Sequence, residues 1–167
     1  MEHEGRRSYE AVTAYFEQIM KESERGQVLI SCSFLEDTLG RMLKSFLVKS
    51  ESSNKLLTGF NAPLSTFSAR IKACNAMGLL TNDEMMEIEI HRKIRNKFAH
   101  QISMSFEDQS VVDLCLNLTR KTEQFDADKP TARENYVSST TIMNLTLISR
   151  LSRIPNSRLS SQFEGDP

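Results

Sequence analysis

Glu36, Arg70 and Arg95 are the residues whose types and positions could do chemistry in this chain, because each stands at an apolar position of a helical repeat. At about 100° per residue, Ile88, Ile90, Ile94, Phe98 and Ala99 span one broad arc of the run Glu87–His100, and Arg95 falls inside it. A guanidinium aimed at a core is costly unless it meets an anion. Glu36 is the candidate, between Leu43 and Leu29/Leu47 on the wheel of the stretch Val28–Val48. Arg70 sits in the same way between Met77 and Cys74 on the stretch Leu64–Met77. Three helices thus each send one ionisable group inward, which predicts a polar cluster of Glu36, Arg70 and Arg95 with Asn96 and His100 at its edge. Such a cluster would fix helix packing, or bind a small anion if part of it is open to solvent. His100, at the end of its run, also fits a residue favoured by the helix dipole and bonded to the last carbonyls.

Other chemistries find little support. His3, His91 and His100 have no ligand spacing, no Cys/His pattern suggests zinc, and no serine or cysteine stands beside a base, so neither a metal site nor a catalytic constellation is expected. Cys32, Cys74 and Cys115 are far apart and at apolar positions, as reduced core thiols would be. Basic residues collect at Arg92, Lys93 and Lys97, and again at Arg150, Arg153 and Arg158; faces of this kind are ordinarily solvated. Residues 71–88 mimic a helix-turn-helix, yet Asn82, Asp83, Glu84 and Glu87 would bring acids to a phosphate-lined groove.

The elements that must carry these residues are helices. Six glycines and four prolines in 167 residues, with no alternating β-branched runs, predict an all-α, single-domain bundle of about five to six helices. A net charge of −1 demands no nucleic acid, acidic substrate or membrane surface. No stretch reads as a signal peptide or a membrane span, so a soluble, cytoplasmic protein is expected. An amphipathic helix is expected over Ser8–Ser23, with Gly26 a break or a close contact after it, then the strongest apolar stripe over Val28–Val48. Leu56, Leu57 and Phe60 are read as a short turn covering one end of the core. Pro63 precedes a helix closed by Gly78; Thr81-x-x-Glu84 opens the long central helix; Ser105-x-x-Asp108 caps another; Thr131-x-x-Glu134 opens a helix to about Arg153. The domain is placed at residues 1–154, with a disordered tail over 155–167.

The segments ESERGQVLISCSFLEDTLGRMLKSFLV, APLSTFSARIKACNAMGLL, HRKIRNKFAH and TARENYVSSTTIMNL, in that order, resemble the mannitol operon repressor (MltR-like) family over roughly residues 10–153. The resemblance implies an all-helical regulator associated with transcription, and a homodimer. With acids where a recognition helix would meet DNA, such a regulator is expected to act through a protein partner or a small anionic ligand, and no cofactor is expected. A shorter likeness lies in Arg95-Asn96-Lys97-Phe98-Ala99-His100, similar to the R-N-x-x-x-H motif of the HEPN superfamily of nucleotide-binding helical domains. That likeness implies the alternative of a metal-independent ribonuclease or toxin relative, with His100 as general base, Arg95 clamping phosphate and Asn96 orienting.

Overall fold

The computed structural model describes residue 19 and residues 21–120 and 130–154, and every regular element among them is α-helical. In chain order these are α1 (Glu24–Phe46), α2 (Glu51–Leu57), α3 (Phe67–Ala76), α4 (Asn82–His100), α5 (Gln109–Leu116) and α6 (Ala132–Leu151). The all-α expectation holds. Of the helix expected over Ser8–Ser23, Ile19 is helical and buried, residues 21–23 turn into α1, and the rest lies outside the described residues, as do the tail over 155–167 and Arg158.

Short side chains set where the helices begin. Ser23, Ser50, Thr66, Thr81 and Thr131 each accept a backbone N–H from the first turn they precede, removing an otherwise orphaned donor. At Thr81 and Thr131 the acid three residues on returns the bond, completing both expected capping boxes. Gly78, at φ 69°, closes α3 in the left-handed conformation that a side chain disfavours. Gly26 is no break: it lies in the first turn of α1, its N–H bonded to Ser23. Ser105 and Asp108 form a turn of their own, and α5 starts one residue after Asp108.

Helix α1, about 34 Å long, is the centre. It packs on α6, α4 and α3, burying Val28, Cys32, Leu35, Leu39, Met42 and Leu43. One apolar cluster joins its C-terminal half to Ile71, Cys74, Ile88, Met143 and Leu147; a second joins Val28 to Ile94, Phe98, Phe106, Val111 and Tyr136. Helices α1 and α6 start side by side, Gln27 accepting from Arg133 at 3.1 Å and Ser31 bonded to Tyr136 at 2.7 Å. The expected cover of the core by Leu56, Leu57 and Phe60 is met by Leu57 alone, since Leu56 and Phe60 face solvent. No helix among the described residues is long and apolar enough to cross a membrane.

Candidate functional site

Between α4 and α6 runs a seam of charge that the apolar pattern conceals. Glu84 and Glu87, both only 3% exposed, turn inward from the first half of α4. Arg150, near the end of α6, grips both oxygens of Glu84, one arm at 2.7 Å, and also donates to the Leu79 carbonyl at 2.9 Å. The same Glu84 closes the capping box by accepting from the Thr81 N–H. Glu87 is enclosed further still. It accepts from the Thr119 hydroxyl at 2.9 Å, the Arg120 N–H at 3.1 Å, the Arg120 guanidinium, and the Ser139 hydroxyl at 2.6 Å. Burial pushes both carboxyls up, but these donors and guanidinium charges outweigh it and hold them below their ordinary range.

Ser139 passes the order on to His91, which is completely buried one turn after Glu87. Its one hydroxyl proton goes to Glu87, so it must accept from His91 Nε2–H at 2.9 Å. The imidazole is therefore the Nε2–H tautomer, and Nδ1 has no partner among the described residues. Burial, against the pull of Glu87, lowers the His91 pKa to about 4. A neutral ring edge-on to Tyr136, at 5.2 Å between centroids, continues the seam to Ser31 and Cys32 on α1. Apart from His91 Nδ1, the bonds of the seam run among these groups, and Glu84, Glu87 and His91 are buried. Their chemistry is to fasten α4, α6 and the end of α5 in one geometry.

The predicted cluster comes together only in part, and not by ion pairing. Arg70 does reach Glu36, but its Nη1 donates to the main-chain carbonyl at 3.0 Å, while Nε donates to the Leu64 carbonyl at 3.1 Å. Gly40 makes room for it, since a Cβ there would lie 3.0 Å from Nη1. Among the described residues no ion pair joins Glu36 to Arg70 or Arg95, and all three are half-exposed. Carbonyls supply the negative partner that a carboxylate was expected to give. Arg95 donates to Asn96 Oδ1 at 3.3 Å; His100 is exposed at the last residue of α4, and no bond joins it to Arg95. No group of three or more His, Cys, Asp or Glu side chains fit to hold a metal occurs among the described residues.

The basic faces are partly spent inside the molecule. Arg92 pairs with Glu89 at 2.8 Å, Arg150 with Glu84, and Arg153 donates to Ser149 at 2.6 Å, while Lys93 and Lys97 on α4 have no ion pair among the described residues. The acids at the start of α4 do not stand as a recognition helix would place them: Glu84 and Glu87 point into the core, while Asp83 and Met86 face out. Sequence reasoning passed over Glu84, Glu87 and His91. Their spacing of three and four runs directly into the buried Ile94 and Phe98, and this was the signal available.

No protein-family model matches the chain, and no curated protein matches it. Among solved structures, a chain of the MtlR–HPr complex from Escherichia coli superposes with a TM-score of 0.59 at 17% identity, covering 84% of this chain and 98% of that one. This chain has a fold similar to that of MtlR. The likeness to the mannitol operon regulators first read from the motifs is thus met by the fold.

Proposed function

We propose that this chain is a non-catalytic regulatory module of the mannitol operon repressor type, folded as one domain over residues 1–154, that acts in the cytoplasm by binding a protein partner. The observation that carries the reading is the fold likeness to a chain solved in complex with HPr. The interior supports it: the two carboxylates of the seam are fully engaged by guanidinium, hydroxyl and backbone donors, which suits a scaffold better than a reaction centre. The charge distribution supports partner binding over direct DNA reading, because Arg92 and Arg150 are held by Glu89 and Glu84. A homodimer belongs to the same proposal and is read out by sedimentation.

Calorimetric titration of the full chain with purified HPr tests it, beside an electrophoretic shift with promoter DNA of a mannitol operon. The expected result is saturable binding of HPr and no shift of DNA at physiological salt. Tight, sequence-dependent DNA binding without any protein partner would overturn the reading.

A further inference from the structure

The connection between α2 and α3 holds an aromatic side chain out in water by a conformation that costs energy. Phe60 is 99% exposed, and its neighbours on both sides are left-handed, Gly59 at φ 111° and Asn61 at φ 56°. Glycine takes that conformation freely; asparagine does so at a small cost. The loop is nonetheless closed and ordered: Leu64 N–H bonds back to the Leu56 carbonyl at 2.8 Å, and Ser65 donates to the Ala62 carbonyl at 2.7 Å. A turn made only to reverse the chain would be served by a polar residue at its tip. Left-handed residues around an exposed aromatic ring instead fix the direction in which that ring projects.

Phe60 does not stand alone. Leu56, one turn back on α2, and Phe46 and Val48, where α1 gives way to α2, are also exposed large apolar residues within the same fifteen-residue span. Between the two helices lies a groove of about 470 Å³ whose lining places Lys44, Lys49 and Glu51 beside Val48 and Leu57. The charges around it are mostly positive. Arg41, Lys44, Lys49 and Lys55 are exposed against Glu51 as the acid of residues 41–60, and Glu51 is taken up by Lys55 at 2.7 Å. Among the described residues no ion pair neutralises Arg41, Lys44 or Lys49, which stand near these apolar side chains in the chain.

We infer that this end of the bundle, the Phe60 loop with Leu56, Val48 and Phe46 and the lysines of the groove, is a docking surface for a partner protein that offers an apolar pocket rimmed by carboxylates. Phe60 enters the pocket, and Lys44 and Lys49 meet the rim. The inference rests on the protein-partner reading above, without depending on which protein the partner is. Charge complementarity selects an acidic protein surface over a basic one.

The test places a benzoylphenylalanine photo-crosslinker at position 60 of the full chain, in cells, with position 102 as control because Ile102 is 94% exposed elsewhere. The conjugated peptide is sequenced, and the protein it comes from is purified and titrated against wild type, Phe60→Ser, the pair Lys44→Glu/Lys49→Glu, and Ile102→Ser. The expected result is a conjugate at position 60 and none at 102, on a peptide with Asp or Glu flanking apolar residues. Binding is then weakened about tenfold or more by Phe60→Ser and by the lysine pair, and left unchanged by Ile102→Ser. These are surface changes, so circular dichroism of each variant should match wild type. A conjugate with a second copy of the chain, labelling equal at 102, no conjugate at 60, or affinity indifferent to Phe60→Ser would each overturn the inference. HPr binding that survives Phe60→Ser would overturn this surface while leaving the proposed function standing; absence of any protein partner would remove both.

Discussion

Replacing Glu87 with glutamine keeps the shape of the side chain and removes its charge, which isolates what the carboxylate does between α4 and the chain after α5. Oε1 accepts from the Arg120 N–H and the Ser139 hydroxyl, and Oε2 from the Thr119 hydroxyl and the Arg120 guanidinium. A carboxamide has one acceptor oxygen, so whichever way it turns, its NH2 group faces one Arg120 donor and one hydroxyl, and only the hydroxyl can turn to accept. At least one bond to Arg120 is lost with the charge, and Arg120 is left with Glu84, 3.9 Å away, as its remaining anion. Bonds to charged groups contribute about 1.5–3 kcal/mol each, and breaking a buried ion pair costs about 3–5 kcal/mol. Arg120 keeps 23% of its side chain accessible, which places the expected loss at the low end: about 3 kcal/mol, or a Tm lower by about 6–12 °C for a domain of this size. Urea unfolding followed by far-ultraviolet circular dichroism at pH 7.5 measures it, with Glu89→Gln as the control. Glu89 meets Arg92 near the surface, and its loss should stay within about 0.5 kcal/mol. A Glu87→Gln penalty below about 1 kcal/mol, or one no larger than the control, would show that the seam does not fasten these helices.

Acid should loosen the molecule through His91 before it reaches the carboxylates. The unfolded chain takes up that proton near pH 6.5 and the folded one only near 4, so stability from the neutral ring is complete above about 6.5 and falls as pH drops towards 4. The loss by pH 5 is about 2 kcal/mol; comparing urea midpoints at pH 7.5 and 5 reads it, and His91→Gln should flatten that difference. Glu84 and Glu87, held low, contribute stability above the ordinary carboxylate range that is lost at still lower pH. The three cysteines are unpaired and buried, and burial pushes each thiol up to about 12. A thiol reagent at pH 8 should therefore find none of them in the native protein and all three in urea; fast labelling of native Cys32 would contradict the packing of α1 on α6.

What could be read along the chain was what local chemistry decides. Thr81 and Thr131 with their returning acids and Gly78 past α3 act within a few residues, and the structure holds each of them. The interior polar groups were misassigned because a helical wheel orders residues by apolarity. It draws Arg95 inward, next to Ile94, and assigns Glu87 and His91 no place in the interior. What decides their burial is the arrival of Thr119, Arg120 and Ser139 from 32 to 52 residues away, which no periodicity within α4 contains. Arg70 shows the converse: its position was legible, but carbonyls of Glu36 and Leu64 satisfy it, and backbone acceptors leave no trace in residue types. Phe60 reads as part of a turn covering the core for the same reason, since an aromatic near other apolar residues carries no sign of the left-handed residues beside it.

Glu84 has one further consequence, for synthesis. It both opens α4 through Thr81 and receives Arg150 from 66 residues downstream. A ribosome adding about 5–20 residues per second needs several seconds to cover that distance. Throughout that interval the nascent α4 has a local reason to wind and an acid, Glu84, that must stay wet, so the bundle cannot close from its N-terminal side alone. Completion of α6 brings Arg150, the cation that grips Glu84, and final closure is thereby tied to translation having passed Arg150.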